Sequence, residues 1–337
     1  MKDIIIVGSG KAALLHYNSY KKLKNKVKIY FIDIKNYSNY IPNNKLYSTI
    51  QECIKSNDLK INNLILDICT PKSEFLTIIE NCKSLGIKDV LVEKPFVIDN
   101  KTLMKLDNMN IVMVENYLFS KLTQMIKKYL NENNKKVDLI YTNFSKNRIS
   151  ESIAGRGYNT EVTLNYEIEI PHQIYLTQYF LNNPNSIQND ITCSRDLKMG
   201  DVTLENHGYG LIISRYNDID IIYESNLTSA ITQKRIIIRT KDGYTIEGNY
   251  AIYSKDLKLI KPANMSIYYN GKIMNSEFIE EDDNFTYFID AAYSYFNKEA
   301  NNPDLVDIST FSNIMNLYCN NLLGRKQVGD LSNVECY

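Results

Sequence analysis

A glycine-bearing turn near the start of the chain constrains its fold more than any other feature. An apolar run over residues 4–7 precedes the turn and an apolar helical face over 12–23 follows it, which predicts a strand, a turn and a helix in that order. The turn itself reads Gly-Ser-Gly-Lys-Ala-Ala, the pattern G-x-G-x-x-A. Gly8 permits the tight turn, Gly10 lets backbone amides approach a ligand, and the small Ala13 lets the helix pack closely. The turn therefore predicts the first unit of an α/β sheet, with a ligand site at its edge.

The segments that follow alternate between strand-like and helix-like patterns. Largely apolar, β-rich segments, typical of strands covered on both faces, lie at residues 27–32, 64–69, 90–92 and 110–115. Helical spacing separates them, most clearly over 73–85, so we predict a doubly wound parallel sheet over residues 1–118. Later segments are longer and β-rich, and the turn signals at 217–218 and 242–243 favour antiparallel pairing. We therefore expect a second, α+β domain over residues 119–337.

The composition excludes several classes of function. The 39 basic residues balance 39 acidic ones, so nothing draws the chain electrostatically to nucleic acid or to a membrane surface. No stretch approaches 18 apolar residues and no charged leader precedes the first strand, so we expect a cytoplasmic protein with a small-molecule substrate. The six cysteines form no C-x-x-C pair and the three histidines lie far apart, so we expect neither a metal site nor a disulfide framework.

An acidic residue downstream strengthens the glycine-turn signal. Asp33 ends the second predicted strand 20 residues after Ala13, where its carboxylate can accept hydrogen bonds from the adenosine ribose hydroxyls of a dinucleotide. The helix that follows the turn aims its positive N-terminus at the phosphates, so Ser9, Lys11 and Ala12 are also candidate cofactor contacts. The two features together predict a dinucleotide-binding domain.

The Asp33 carboxylate also bears on which cofactor is bound. It would repel the 2′-phosphate of NADP, so NAD is the expected cofactor. Lys35, two residues later, can instead pair with that phosphate, although an exposed loop lysine is the simpler interpretation. NADP is therefore the alternative.

Three further segments carry a resemblance to a known family. Cys69-Thr70-Pro71 closes the fourth apolar segment, Glu93-Lys94-Pro95 follows a Val-Leu-Val strand, and His172 begins a helix about 80 residues later. In this order and spacing they resemble the glucose-fructose oxidoreductase / inositol dehydrogenase family (Gfo/Idh/MocA). The resemblance implies a Rossmann domain and an α+β domain with a large open antiparallel sheet, through which members assemble as homodimers or homotetramers. It also implies hydride transfer between a nicotinamide cofactor and a hydroxyl or ketone carbon of a sugar-like, cyclitol or sugar-nucleotide substrate.

The resemblance implies two catalytic residues, Lys94 and His172. Hydride transfer from an alcohol leaves a proton to be removed, and the reverse reaction needs one delivered, which a lysine and a histidine can do. Lys94 ends a parallel strand, where ligands of such sheets bind, and burial beside an oxidised nicotinamide would lower its pKa. His172 follows Pro171, a residue suited to a helix start, so we expect its imidazole in the first turn. A buried histidine with satisfied hydrogen bonds is the alternative.

The remaining candidate residues follow from the family match or from their neighbours. Candidate cofactor contacts outside the glycine turn are Cys69, Thr70, Pro71, Glu93, Lys94 and Asn116. Candidate substrate contacts are Lys94, Tyr117, Arg156, Glu169, His172 and Tyr175. His16 and His207 are interpreted as structural.

One departure from the family pattern leaves the chemistry open. Family members commonly carry an aspartate four residues before the histidine, where this chain has Ile168, so either Glu169 orients the imidazole or the dyad is absent. Reduction of a C=N bond and a non-catalytic NAD(H)-binding sensor therefore stand as alternatives to a sugar dehydrogenase.

Overall fold

The computed structural model describes residues 1–24, 27–34, 41, 45–94, 99–153, 165–182, 188–254 and 258–323. The first half contains β1 (Asp3–Val7), α1 (Lys11–Lys22), β2 (Ile29–Ile32), β3 (Leu46–Tyr47), α2 (Ile50–Asn57), β4 (Leu64–Ile68), α3 (Lys72–Leu85), β5 (Asp89–Val92), α4 (Asn100–Lys105), β6 (Asn110–Met113), α5 (Lys121–Glu132) and β7 (Val137–Asn147). The second half contains α6 (Ile149–Ile153), α7 (Asn165–Ile168), α8 (Ile170–Phe180), β8 (Gln188–Met199), β9 (Val202–Tyr216), β10 (Ile219–Asn226), β11 (Thr228–Thr240), β12 (Tyr244–Asn249), β13 (Ile252–Tyr253), β14 (Leu259–Lys261), β15 (Ala263–Tyr269), β16 (Lys272–Ile279), α9 (Asn284–Phe296), β17 (Val306–Asp307) and α10 (Ile308–Leu323).

The chain divides into two compact units. Met1–Phe119 and Asp283–Ile314 form the first, and Ser120–Asp282 and Met315–Tyr337 form the second. The sequence texture predicts a second domain over residues 119–337, whereas the structure groups 283–314 with the first unit. The reason is the apolar face of α9, whose Phe285 ring lies 4.8 Å from the His16 ring and whose Phe288 ring lies 5.5 Å from that of Phe119.

The first unit is built on a seven-stranded sheet with the order β17-β6-β5-β4-β1-β2-β3. The pairs from β6 to β3 are parallel, and β17 joins β6 antiparallel. Every residue of β2, β4 and β5 is buried, as expected for strands covered on both faces. From the central β1, the chain proceeds to β2 and β3 on one side and then to β4, β5 and β6 on the other. The predicted doubly wound parallel sheet is confirmed.

The second unit is built on an eight-stranded sheet with the order β16-β15-β12-β11-β7-β10-β9-β8. Its strands pair antiparallel except β7 and β10, which run parallel. The predicted fold class, a Rossmann-like sheet and a separate, largely antiparallel one, is therefore confirmed. Assembly through the second sheet stays a prediction. None of the described helices combines the length and the apolar character needed to cross a membrane.

Candidate functional site

The carboxyl ends of the parallel strands bring several predicted residues to one edge of the first sheet. Gly8 follows β1, Asp33 follows β2, Cys69 follows β4, Lys94 lies two residues after β5, and Glu115 lies two residues after β6. The winding direction reverses between β1 and β4, and ligands of open α/β sheets bind at such a switch point. Residues up to 107 positions apart in sequence, from Gly8 to Glu115, thus share one edge because parallel strands end on the same side.

Gly8 lies at the switch point and cannot be replaced without strain. Its φ is +109°, a conformation that side chains rarely adopt. A Cβ atom built on it would lie 2.9 Å from the Cys69 carbonyl oxygen, which belongs to the loop after β4. The glycine is therefore required by the close approach of two loops, each at the end of a central strand.

Gly10, unlike Gly8, has space around it for a side chain. It is the N-cap residue of α1, its φ is −83°, and a built Cβ would meet nothing within 4 Å. The space in front of the helix N-terminus is therefore open, and a phosphate can approach the backbone there. These surroundings fit the pyrophosphate of a dinucleotide, and Lys11 and Ala12 follow in the first turn of α1.

Asp33 and the glycine turn are joined by a side-chain hydrogen bond. Ser9 Oγ donates to Asp33 Oδ2 at 2.6 Å, and the Asp33 backbone N–H donates to the Tyr47 carbonyl at 3.1 Å. Ser9 is buried and Asp33 is partly exposed. The predicted carboxylate thus stands beside the turn with its position fixed by two bonds, as a ribose-binding acid requires.

Glu93 and Lys94 adjoin a buried charge network that sequence reasoning missed. His16 Nδ1 lies 2.7 Å from Asp67 Oδ2, and His16 Nε2 lies 2.9 Å from Glu93 Oε1. His16 and Asp67 are fully buried, and the Lys94 backbone N–H donates to Glu93 Oε2 at 3.2 Å. His16, interpreted from sequence as structural, therefore connects the sheet interior to the residue that precedes the candidate catalytic lysine.

The network determines the charges of its members. Burial lowers the pKa of His16, but the charges and hydrogen bonds of Asp67 and Cys69 together raise that pKa well above 6.5. Burial raises the pKa of Glu93, but the hydrogen bond from His16 and the charges of His16 and Lys94 bring it below 4.5. The arrangement therefore favours an imidazolium between two carboxylates.

His16, Asp67 and Cys69 also lie close enough together to suggest a metal site, since their ligand atoms are all within 4.8 Å. The 2.7 Å separation of Nδ1 and Oδ2 is a hydrogen-bond length. Two ligands of a tetrahedral zinc with bonds of about 2.0–2.1 Å would stand roughly 3.3 Å apart. Burial and the Asp67 charge also raise the pKa of the Cys69 thiol, which disfavours the thiolate. The geometry is that of an ion pair.

Glu115 adds an unusual carboxyl group to the same edge. It is 1% exposed, and burial, together with the charge of Glu93, raises its pKa to about 8 against the opposing effect of Lys94. Glu115 therefore holds a proton at neutral pH. Asn116 and Tyr117 follow in a 3-10 turn, in which Tyr117 is buried and Asn116 partly buried.

The other predicted residues of the first unit lie near the same strand ends. Thr70 is partly buried after β4, and Pro71 is the N-cap residue of α3. Lys35 and Pro95 lie outside the described residues, as does Arg156 in the second unit.

In the second unit, His172 lies in the first turn of α8 as predicted, directly after Pro171. It is 7% exposed, and its ring lies 6.5 Å from that of Phe144 on β7. The next residue, Gln173, holds the helix on the sheet: it accepts from Thr142 Oγ1 at 2.8 Å and donates to the Glu224 carbonyl at 3.0 Å. Tyr175, also on α8, is buried.

Glu169, which the sequence analysis considered as a partner for the imidazole, has basic partners in the structure. Lys146 Nζ lies 2.6 Å and Arg148 Nη2 2.9 Å from Glu169 Oε1. Neither basic residue was among the sequence candidates. The sequence signal that could have identified them is a pair of basic residues separated by one position, Lys146 and Arg148, at the end of a long β-rich segment.

No protein-family model and no curated protein matches the sequence. Solved structures do match the fold over nearly the whole chain. A mutant 3-ketoreductase from Actinomadura kijaniata, in complex with TDP-benzene and NADP, superposes with a TM-score of 0.72 at 10% identity, covering 96% of this chain and 98% of that one. UDP-N-acetylglucosamine 3-dehydrogenase from Acidithiobacillus ferrooxidans gives 0.65 at 11% identity and 95% of both chains. An oxidoreductase from Bacillus cereus gives 0.69 at 16% identity and 97% of both chains. The chain therefore shares the two-sheet fold of these proteins.

Proposed function

We propose that this protein is an NAD(P)-dependent oxidoreductase that transfers a hydride between the cofactor and a hydroxyl or ketone carbon of a sugar-like substrate. The observation that carries the proposal is that four features lie at the same edge of the first sheet. They are the glycine required at position 8, the open helix N-terminus at Gly10, the Asp33 carboxylate held by Ser9, and the candidate catalytic lysine Lys94. None of these features alone is specific for a dinucleotide-binding site, but such a site combines all of them.

The residues of this edge would hold the cofactor by its two ends. The backbone around Gly10 would receive the pyrophosphate, and Asp33, held by Ser9, would accept hydrogen bonds from the adenosine ribose. Thr70 and Glu93 follow neighbouring strands and would lie towards the nicotinamide end. When bound, the nicotinamide supplies the hydride acceptor or donor.

Lys94 and His172 would handle the proton that accompanies hydride transfer. Oxidation of a carbinol breaks its C–H and O–H bonds, and a base must take the hydroxyl proton; reduction returns a proton to the carbonyl oxygen. We propose that the Lys94 ammonium hydrogen-bonds the reacting oxygen and that the His172 imidazole exchanges the proton. Glu115, which holds a proton at neutral pH, would add no negative charge near Lys94.

The substrate class rests on the fold relatives. Two of them act on or bind nucleotide-linked groups, as their names state: a UDP-N-acetylglucosamine 3-dehydrogenase and a 3-ketoreductase in complex with TDP-benzene. Together with the family resemblance they support a sugar or sugar nucleotide for this chain.

Two measurements test the proposal. NADH binding is followed by the fluorescence of the reduced nicotinamide, and turnover is followed by its absorbance with sugars, cyclitols, sugar nucleotides and imines. We expect saturable binding, turnover with an oxygen-bearing substrate, and a loss of roughly a hundredfold or more in Lys94→Ala and in His172→Ala. Lys55→Ala, at an exposed position on α2, is the matched control. Binding without turnover across the panel would indicate a sensor, and no binding of either nicotinamide cofactor would refute the proposal.

A further inference from the structure

Glu115 and Lys94 are neighbours at the carboxyl edge of the first sheet. Strands β5 and β6 pair in parallel up to Val92 and Met113, and the Val114 N–H still donates to the Val92 carbonyl at 3.0 Å. Lys94 and Glu115 each lie two residues beyond that last pair. The two segments therefore leave the sheet side by side, and the charge of Lys94 acts on the Glu115 carboxyl.

The surroundings of Glu115 keep its carboxyl protonated at neutral pH. The residue is 1% exposed, and burial raises its pKa to about 8, while the charge of Lys94 lowers that pKa and the charge of Glu93 raises it. Among the described residues these are the charges that act on Glu115; on the other side of β6 the register of β17 leads to Asp304, whose charge is not one of them. A carboxyl in such a place loses its proton when one more positive charge is brought close to it.

The cofactor that we propose for this edge has two charge states. The oxidised nicotinamide ring carries a positive charge and the reduced ring is neutral, whereas the adenosine and the diphosphate are the same in both forms. In the proposed binding mode the nicotinamide end would lie towards Thr70 and Glu93, which follow β4 and β5, and Glu115 follows β6, the next strand of the sheet. A buried, protonated acid therefore lies at the edge where the charge of the cofactor changes.

We propose that Glu115 distinguishes the oxidised from the reduced cofactor: its carboxyl gives up a proton to solvent when NAD⁺ binds and keeps that proton when NADH binds. The carboxylate so formed compensates the charge of the oxidised ring, while the neutral acid puts no negative charge beside the reduced one. The inference rests on the proposed function, because it needs the nicotinamide at this edge of the sheet. It adds a residue that selects the redox state of the cofactor.

Such a response has a thermodynamic signature that does not require turnover. A nearby positive charge lowers the pKa of a carboxyl by about one to three, so from a starting value of about 8 the release at pH 7 should be roughly 0.4–0.9 proton per site. Binding that releases a proton becomes tighter as the pH rises, so NAD⁺ affinity should increase at least about fivefold from pH 6.5 to 8.5. NADH affinity should stay within about twofold over the same range, because no proton is exchanged.

The experiment is a calorimetric titration of the full chain at pH 7 with NAD⁺ and, separately, with NADH. Each titration is done in two buffers of different ionisation enthalpy, since the difference in heat between the buffers gives the number of protons exchanged. The two cofactors differ only in the nicotinamide ring, so protons exchanged at the phosphate and adenosine ends cancel in the comparison. We expect proton release with NAD⁺ and no measurable release with NADH.

Three variants identify the group that releases the proton. Glu115→Gln keeps the size of the side chain but has no acid, so NAD⁺ should bind without proton release and without a rise in affinity up to pH 8.5. Lys94→Met, measured at pH 8, should keep the release, because the charge of Lys94 lowers the pKa of Glu115 and its removal moves the release to higher pH. Glu80→Gln removes an exposed carboxylate of α3 in the same unit and, as the matched control, should release as many protons as the parent.

Equal proton exchange with the two cofactors would overturn the inference, and so would an NAD⁺-linked release that persists in Glu115→Gln. A release that is lost in Lys94→Met would assign the proton to the lysine ammonium and overturn the inference as well; this variant and the parent decide the question if Glu115→Gln does not fold. Binding of both cofactors without a difference in proton exchange would sink this inference alone. Binding of neither cofactor would sink the proposed function, and this inference with it.

Discussion

His16 Nε2 lies 2.9 Å from Glu93 Oε1, while His16 Nδ1 lies 2.7 Å from Asp67 Oδ2, so one buried imidazolium joins two carboxylates behind the candidate catalytic lysine. Glu93 in turn accepts from the Lys94 backbone N–H. His16 therefore holds the Glu93 side chain, which in turn contacts the backbone of Lys94.

Removal of the imidazolium should destabilise the first unit. In His16→Gln, the buried Asp67 and the partly buried Glu93 lose their shared cation, which costs about 3–5 kcal/mol in the free energy of unfolding, measured by urea denaturation. The double variant His16→Gln/Asp67→Asn should lose less than the sum of the two single variants, because the second change removes an uncompensated charge. A single variant within about 1 kcal/mol of the parent would contradict the ion-pair assignment.

The same pair predicts a pH dependence of stability. The pKa of His16 is raised in the folded state, so its contribution is complete below about pH 6.5 and declines as the pH rises towards the raised value. The pKa of Glu93 is lowered, so its contribution is present above about pH 4.5 and is lost as the pH falls through the lowered value. Urea denaturation from pH 6.5 to 9 should show a decline in the parent that is smaller in His16→Gln. Equal slopes in the two proteins would count against a charged His16.

Glu115 should affect the pH dependence of stability at lower pH than His16 does. Its pKa is raised to about 8, so the folded state holds a proton that the unfolded chain releases near pH 4.5, and stability falls as the pH rises between these values. The slope approaches about 1.4 kcal/mol per pH unit. Glu115→Gln keeps the shape of the protonated acid and should flatten the decline between pH 5 and 6, where His16 is mostly protonated in both the folded and the unfolded chain and contributes little. An unchanged slope in that window would show that Glu115 is ionised.

Alanine substitutions at the two glycines of the turn should have different effects, one on stability and the other on cofactor affinity. Gly8→Ala forces a side chain into a φ of +109° and within 2.9 Å of the Cys69 carbonyl, so we expect a loss of about 1–3 kcal/mol or more in the free energy of unfolding. Gly10→Ala meets no atom within 4 Å and should change stability by less than about 1 kcal/mol. Its methyl group would instead occupy the proposed approach of the pyrophosphate, so NADH affinity should fall at least tenfold by fluorescence titration. A Gly10→Ala variant with parental affinity would place the phosphates elsewhere.

How much of this site could be predicted from sequence depends on how local each signal is. The glycine turn and Asp33 were predictable because one strand, one turn and one helix determine their spacing, and the structure adds only the bond from Ser9. The His16 network was not, because its contacts span 51 and 77 residues. Two features of the sequence indicate buried polar groups here. Asp67 interrupts the apolar strand β4, and His16 lies on the same helical face as Ala13 and Tyr20.

In the second unit, too, only the strands with a local sequence signal could be predicted. The hairpins at 217–218 and 242–243 were predicted because local turn residues mark them, and both connect paired strands. β16 was not assigned, since it exposes every residue from Lys272 to Phe278 and so lacks the apolar alternation of a half-buried strand. The neighbours of Lys234 could not be predicted either, because pairing of β7 with β11 places it beside Phe144, about 90 positions earlier.

Cofactor choice should depend on the Asp33 carboxylate. In the proposed binding mode its negative charge would face a 2′-phosphate, so we expect the parent to bind NADH more tightly than NADPH. Asp33→Asn keeps the size of the side chain and an acceptor for Ser9 Oγ but removes the charge, and should shift the ratio of the two Kd values towards NADPH by about tenfold, or 1.4 kcal/mol. Glu80→Gln removes one charge at an exposed position of α3 and should leave the ratio unchanged. Both ratios come from nicotinamide fluorescence titrations in the same buffer. Tighter NADPH binding by the parent, tenfold or more, would mean that another group, such as Lys35, pairs with the phosphate and outweighs the carboxylate.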